Sequence, residues 1–254
     1  MVTGASRGLG DGLSRVLLNA GHTVYACSRN SNTSLTEFGR KSKGTLRYSR
    51  VNLSNQDDLD SFIELVLNDC SREHPDSFIL INNAATITPV GPLETLVSEE
   101  IQHHISTNFL APVFLTRGIL EGLSGSNNRT EITVLNISSG AAQSPYFGRS
   151  MYCAGKAALE MFTRVVAKEQ KKRGLHNRIY AVRPGVVDTS MQELSRTLPN
   201  ELTHDRDLFL SLQSEKKLLD PQQAAELVLR TLSDERVQSG DIVDIRQLYP
   251  KAFE

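Results

Sequence analysis

The sequence predicts an α/β protein built on a doubly wound parallel sheet. Strand-like apolar runs alternate with stretches whose apolar residues recur at helical spacing. The runs are continuous rather than alternating, as in strands buried on both faces. The polar and glycine-rich motifs fall just after the runs, at the carboxyl ends where such sheets bind ligands. With 254 residues and no repeat, low-complexity linker or change of composition, the chain is expected to form a single domain over 1–254.

The elements follow in order. Thr3-Gly4-Ala5-Ser6-Arg7-Gly8-Leu9-Gly10 is a glycine-rich turn, and the strand expected before it retains only Met1 and Val2. In a doubly wound sheet that strand is central. The sequence therefore suggests a truncated start that leaves neighbouring strands with unpaired backbone groups. Leu9 to Ala20 places Leu13, Val16, Leu17 and Ala20 on one helical face. His22 to Ser28 is a β-branched and aromatic strand, and Thr45 to Leu53 a partly alternating one. Leu59 to Leu67 is helical, with Leu59, Phe62, Ile63 and Val66 facing inward. Ser77 to Asn82 and Glu131 to Ser138 are apolar strands. Met161, Phe162, Val165 and Val166 keep helical rhythm in a later helix, and Arg178 to Pro184 and Asp241 to Ile245 complete the strands. Asp188 to Asp220 is long, polar and helical, and its position at the ligand edge predicts a lid.

Composition excludes several functions. A net charge of −1 gives no basic surplus for nucleic acid or an anionic membrane. No apolar run reaches the ~18 residues of a membrane span, and the start has no secretory pattern. His103 and His104 are adjacent rather than at the i, i+4 spacing of a helical metal pair, so no metal site is expected. Cys27, Cys70 and Cys153 form no CxxC and read as reduced thiols, with Cys153 a small packed side chain. The expected location is cytoplasmic.

Two groups of residues carry chemistry. In the first turn Gly4 permits a tight bend, Gly8 clears space for a pyrophosphate, and Gly10 lets the next helix pack closely; that helix offers its N-terminal amides to the anion. The second strand ends Ala26-Cys27-Ser28-Arg29, with no carboxylate to grip a ribose 2′-hydroxyl. Arg29 and Arg7 instead suit a 2′-phosphate, which points to NADP(H). Further on, Tyr152 and Lys156 share a helix face at i, i+4, and Ser139 lies thirteen residues before Tyr152. An ammonium beside a phenol lowers its pKa towards usable acid–base chemistry, and Ser139 supplies a hydrogen bond to the same carbonyl oxygen.

These motifs, together with Asn82-Asn83-Ala84-Ala85, Asn108 and Arg183-Pro184-Gly185-Val186-Val187-Asp188-Thr189, resemble the short-chain dehydrogenase/reductase family, in the family's order and over nearly the whole chain. The stretches LINNAATITPVGPL, NISSGAAQSPYFG, YCAGKAALEMF, PGVVDTSMQ, LLDPQQAAELVL and SGDIVD are similar to those of sepiapterin and benzil reductases within it. The resemblance implies a Rossmann-type fold and a catalytic set of Tyr152 as proton donor, Lys156 on the nicotinamide ribose, Ser139 orienting the carbonyl and Asn108 anchoring a relay water. It implies cofactor contacts at Gly4, Ser6, Arg7, Leu9, Arg29, Asn52, Leu53, Asn83, Ala84, Tyr152, Lys156, Val187 and Thr189. It implies substrate contacts at Ser139, Tyr152, Gly185 and Asp244, the last matching an aspartate that anchors a pterin ring. Ala85 replaces a usual glycine, and Asn52 a common aspartate.

The function expected is an NADPH-dependent reductase of a ketone or vicinal diketone, with pterin and aromatic diketone both open. The alternative is a cofactor-binding or regulatory protein with little turnover, because of the clipped first strand. The resemblance also implies a homodimer, for which Ala157, Ala158, Met161, Phe162, Val165 and Val166 form a broad apolar face.

Overall fold

The computed structural model describes residues 1–124, 130–199, 201–215 and 217–253. The seven strands are β1 (Val2–Thr3), β2 (Thr23–Ser28), β3 (Thr45–Arg50), β4 (Ser77–Asn82), β5 (Glu131–Ile137), β6 (Arg178–Arg183) and β7 (Ile242–Asp244). All pair in parallel, in the order β3-β2-β1-β4-β5-β6-β7. The strand order reverses between β1 and β4, and the crevice at such a switch point is where an open α/β sheet takes its ligand.

Helices cover both faces because apolar side chains leave each strand in both directions. On one face α1 (Gly8–Asn19), α2 (Thr33–Lys41) and α9 (Pro221–Arg230) pack Leu13, Leu17, Leu35, Ala224 and Val228 over Val24, Ile81 and Tyr180. On the other, α3 (Gln56–Glu73), α5 (Ala111–Leu123) and α6 (Ser150–Lys172) pack Leu59, Phe62, Leu115, Ile119 and Val166 over Tyr25, Leu80 and Val134. Between β4 and α5, α4 (Ser98–Ile105) runs through a π-helical turn, Ser106–Leu110, directly into α5. Such a bulge displaces side chains from ordinary helical positions, and Asn108 sits in it. After β6 come α7 (Ser190–Thr197) and α8 (Arg206–Ser214), and α10 (Ile245–Leu248) follows β7.

The structure revises several expected boundaries. The third strand ends at Arg50 rather than Leu53, because Val51 to Leu53 turn towards the crevice. The helix expected over Leu59 to Leu67, α3, extends well beyond those bounds: the Asn55 side chain caps its start and His74, at φ 47°, ends it. Ile245 opens α10 instead of closing the last strand. In the segment from Asp188 to Asp220, of which Asn200 and Lys216 lie outside the described residues, α7 and α8 form a strap. Its base is closed by Asp188 N donating to Leu219 O at 2.8 Å and Leu219 N to Val186 O at 2.9 Å.

The short first strand is paired on both sides, Val2 with Ala26 and with Ile81, and Thr3 with Cys27. Met1 extends the contact: its ammonium donates to Ile79 O at 2.7 Å and its carbonyl accepts from Ile81 N at 2.9 Å. No described helix is long and apolar enough to cross a membrane. No group of three or more His, Cys, Asp or Glu among the described residues is placed to hold a metal.

Candidate active site

The first turn is fastened to β4 by Thr3. Its hydroxyl accepts from Asn83 N and Ala84 N, both at 3.0 Å, and the Asn83 amide donates to Thr3 O at 2.8 Å. Asn83 and Ala84 line the cavity as expected, but the Asn83 side chain is committed to holding the turn. Gly4 (φ 71°) and Gly8 (φ 57°) occupy the left-handed region that glycine favours. A Cβ on Gly4 would stand 2.8 Å from Ala84 Cα, one on Gly8 2.9 Å from Thr189 Cγ2, and one on Gly10 2.2 Å from Gly4 O. The three glycines therefore set how closely α1 approaches the turn. No side chain caps the start of α1, which leaves its first amides directed at the crevice.

A cavity of about 540 Å³ runs from this turn across the carboxyl ends of the strands. Arg7, Arg29, Arg149, Lys156, Arg183 and Arg246 line it, and no described Asp or Glu does. At the end beside β2, Arg7 and Arg29 are exposed and neither guanidinium has a hydrogen-bonding or ionic partner. Ser6, Leu9, Asn52 and Leu53 complete that end. The Asn52 side-chain oxygen Oδ1 accepts from Ser54 N and Oγ at 3.2 and 2.9 Å, so its acceptor is used locally.

At the other end, β5 delivers two serines with different roles. Ser138 Oγ donates to Glu160 Oε1 at 2.7 Å, whereas Ser139 caps a short turn, Gly140–Ala142, and lies in the cavity with Tyr152. Tyr152 and Lys156 do share the inner face of α6. The ammonium donates to Ile137 O at 2.7 Å and stands 5.8 Å from the Tyr152 ring centre. The expected lowering of the phenol pKa by Lys156 is not found. Burial raises the Tyr152 pKa above the ordinary phenol value, and the opposing pull comes from Ser139 and Arg149 rather than Lys156. Burial also lowers Lys156 to about 8, with Glu160 opposing.

Behind Lys156, Arg183 grips Glu160 through Nε and Nη2 at 2.8 and 2.7 Å and donates from Nη1 to Gln143 at 2.6 Å. Both members of the pair are buried. This ion pair anchors the end of β6 to α6, and so positions Tyr152 and Lys156 against the strand end from which the cavity opens.

Two expected site residues sit differently. Asn108 is buried and does not line the cavity: its amide spans Thr86 N and O at 2.8 and 2.7 Å and reaches His104 Nε2 at 3.0 Å. His104 Nδ1 in turn faces Thr88 O at 2.8 Å, and its ring meets that of Tyr152 edge to face. Asn108 thus clamps the segment after β4. Asp244 also lies outside the lining. It caps α10 and holds Arg246 through two bonds of 3.1 and 2.8 Å, so Arg246 rather than the aspartate faces the cavity. Gly185, Val187 and Thr189 do line it; Gly185 has φ 71°, and Val187 bridges to Leu219 at the base of the strap.

Residues not read from the sequence complete this end: Tyr146, Arg149, Met191, Gln192, Phe209 and Arg246. Arg149 stands three residues before Tyr152, a spacing that could have placed it on the same side of α6. Phe209 and Met191 come from the strap, which carried no sequence signal beyond its length.

The chain is similar to known proteins over nearly its whole length. Residues 1–199 match the short chain dehydrogenase family. A benzil reductase ((S)-benzoin forming) from Bacillus cereus is 33% identical over 245 residues, covering 96% of this chain and 98% of the relative. Sepiapterin reductase from Bos taurus is 33% identical over 260 residues, covering 96% and 92%. Among solved structures, the KRED1-Pglu enzyme is 29% identical, with a TM-score of 0.78 over 95% of this chain and 98% of that one. The fold, the turn and the Ser-Tyr-Lys convergence therefore have one explanation: the chain belongs to the short-chain dehydrogenase family.

Proposed function

We propose that the protein is an NADPH-dependent carbonyl reductase acting on ketones and vicinal diketones, in the manner the names benzil reductase and sepiapterin reductase imply for its relatives. One observation carries the reading: Ser139, Tyr152 and Lys156 meet at one end of a cavity whose other end presents two unpaired arginines and no carboxylate. The cavity fits a phosphorylated dinucleotide. Cβ atoms at Gly4, Gly8 and Gly10 would close the turn that cradles its phosphates. Arg7 and Arg29 suit a 2′-phosphate, and Ala26 to Ser28 offer nothing to repel it.

When bound, reduced NADP supplies hydride to the carbonyl carbon. The chain's own groups manage the oxygen. Ser139 Oγ orients it, and Tyr152, kept protonated by burial, passes its phenolic proton to it. Lys156 has three donors; one is fixed on Ile137 O, leaving the others for ribose hydroxyls. Asp244 is occupied by Arg246, which favours a diketone over a pterin that needs a free carboxylate. The whole chain acts as one domain. Ala157, Met161 and Val165 form an exposed apolar stripe on α6 that supports a homodimer, and the free thiols Cys27, Cys70 and Cys153 suit the cytoplasm. The competing reading, a binding protein without turnover, predicts no cofactor oxidation.

The test is steady-state reduction of benzil and of sepiapterin with NADPH and with NADH. We expect NADPH to be preferred at least tenfold in kcat/KM, and Arg29→Ser to remove most of that preference, since a charge-assisted contact contributes ~1.5–3 kcal/mol. Preference for NADH would refute the cofactor assignment, and preference for sepiapterin over benzil the diketone assignment.

A further inference from the structure

Arginines of this chain show what the Nε–Nη2 edge of a guanidinium does here. Arg183 holds Glu160 through that edge, Arg246 holds Asp244 at 3.1 and 2.8 Å, and Arg236 holds Asp234 at 2.9 and 2.7 Å. Each is a two-point grip on a carboxylate, the arrangement for which the planar fork is suited.

Arg149 is buried like Arg183 yet makes no such grip. It is only 4% exposed, and its Nε and Nη2 are buried without a hydrogen-bond partner. An unpaired buried charge is expensive. The rings of Phe209 and Tyr146, 4.4 and 5.8 Å from the guanidinium carbon, offset part of that cost. Asp205 is close enough to act electrostatically on Arg149, yet the two form no ion pair. Its Oδ2 is itself buried and unpartnered. A second donor in the cavity wall, Gln192 Nε2, is likewise buried and unpartnered.

We propose that Arg149 is a carboxylate receptor, and that the substrates this cavity selects are carbonyl compounds bearing a carboxylate, 2-oxo acids first among them. This rests on the carbonyl-reductase reading and specifies its substrate class. Arg149 lines the same cavity as Ser139 and Tyr152, so an acid held on its fork has its ketone at the catalytic end. The ring of Phe209 lies over the guanidinium and belongs to α8, whose first turn follows Asp205. Entry of the acid moves this part of the strap, and Asp205 is the internal anion that the substrate carboxylate displaces from the neighbourhood of Arg149. The absence of any lining Asp or Glu leaves nothing else in the described wall to repel the acid.

The probes are phenylglyoxylate, in which a carboxylate replaces one benzoyl group of benzil, and its methyl ester, which keeps the shape without the charge. Both are assayed with NADPH beside benzil, using the wild type, Arg149→Gln, Arg149→Lys and Asp205→Asn. Calorimetric binding of phenylglyoxylate to the NADP-saturated proteins is measured in parallel. The wild type should favour acid over ester in kcat/KM by on the order of 100-fold, the scale of a two-point charged contact. Arg149→Gln should collapse that ratio, chiefly through KM of the acid. Arg149→Lys, with charge but no fork, should restore part of it, and Asp205→Asn should raise it. A wild-type ratio near one, or an Arg149→Gln effect equal on acid and ester, would overturn the proposal. If no carbonyl is reduced, the reductase reading fails separately. Calorimetry still decides the receptor: binding lost in Arg149→Gln upholds it, and unchanged binding overturns it.

Discussion

Replacing Glu160 by glutamine removes the charge that neutralises Arg183 while keeping the side chain's shape. The magnitude follows from burial. Both side chains are 8% exposed, and Glu160 accepts three bonds of 2.7–2.8 Å, one from Ser138 Oγ and two from Arg183. Breaking such a pair leaves a buried unpaired cation and costs ~3–5 kcal/mol, a large fraction of the ~5–15 kcal/mol that holds a domain together. At ~2–4 °C per kcal/mol for a chain of this size, the melting temperature should fall by ~6–20 °C. A second effect follows on α6. Glu160 is the group that opposes the burial-driven drop of the Lys156 pKa to about 8. Lys156 loses its charge as pH rises through that value, so the rate of reduction should fall on the alkaline side. Without Glu160 the ammonium is less favoured, and that alkaline limb should move to lower pH. Thermal unfolding followed by circular dichroism gives the first number, and a pH profile of kcat the second. A melting temperature within ~2 °C of wild type, or an unmoved alkaline limb, would contradict these roles of Glu160.

Two glycines give a matched contrast. Alanine at Gly10 would bring Cβ to 2.2 Å from Gly4 O, with Asn83 Nδ2 at 2.6 Å, so α1 must retreat from the turn. A displacement of about 1 Å is expected to weaken kcat/KM for NADPH by ~100-fold. At Gly155 the same Cβ meets only His104 Nε2 at 3.6 Å and Asn108 Cβ at 3.8 Å, so alanine there should stabilise α6 by ~0.5–1 kcal/mol in denaturant titrations. Asn108→Ala should cost ~2–6 kcal/mol in thermal or denaturant unfolding, because Thr86 N and O both lose their partner and each unmade bond costs ~1–3 kcal/mol.

The strands were legible where their apolar runs are continuous: Ser77–Asn82 has the observed bounds, and Glu131–Ile137 ends one residue early. Helices that bury little were not. α2 buries only Leu35 and α4 only His104, so neither shows an apolar stripe. The shared face of Tyr152 and Lys156 was readable because their spacing is local and a helix brings i and i+4 together. The polar clamps were not legible. Asn108, Asn83 and Asp244 have the side chains of ligand-binding groups, yet their bonds go to Thr86, Thr3 and Arg246, partners that only the folded chain brings near. The effect of Lys156 on Tyr152 was overestimated for a related reason, since sequence spacing does not reveal burial or the Ile137 carbonyl that takes the ammonium. Arg149 and Phe209 meet only because the strap returns over the cavity.

The role proposed for Tyr152 is protonation of a carbonyl oxygen in a reaction driven by NADPH. Its most direct test is the single-turnover rate of benzil reduction by the wild type and Tyr152→Phe, both saturated with NADPH. The account predicts turnover by the wild type, a loss of ~10²–10⁴-fold in the variant, and NADPH affinity little changed. Reduction by Tyr152→Phe at the wild-type rate would contradict it.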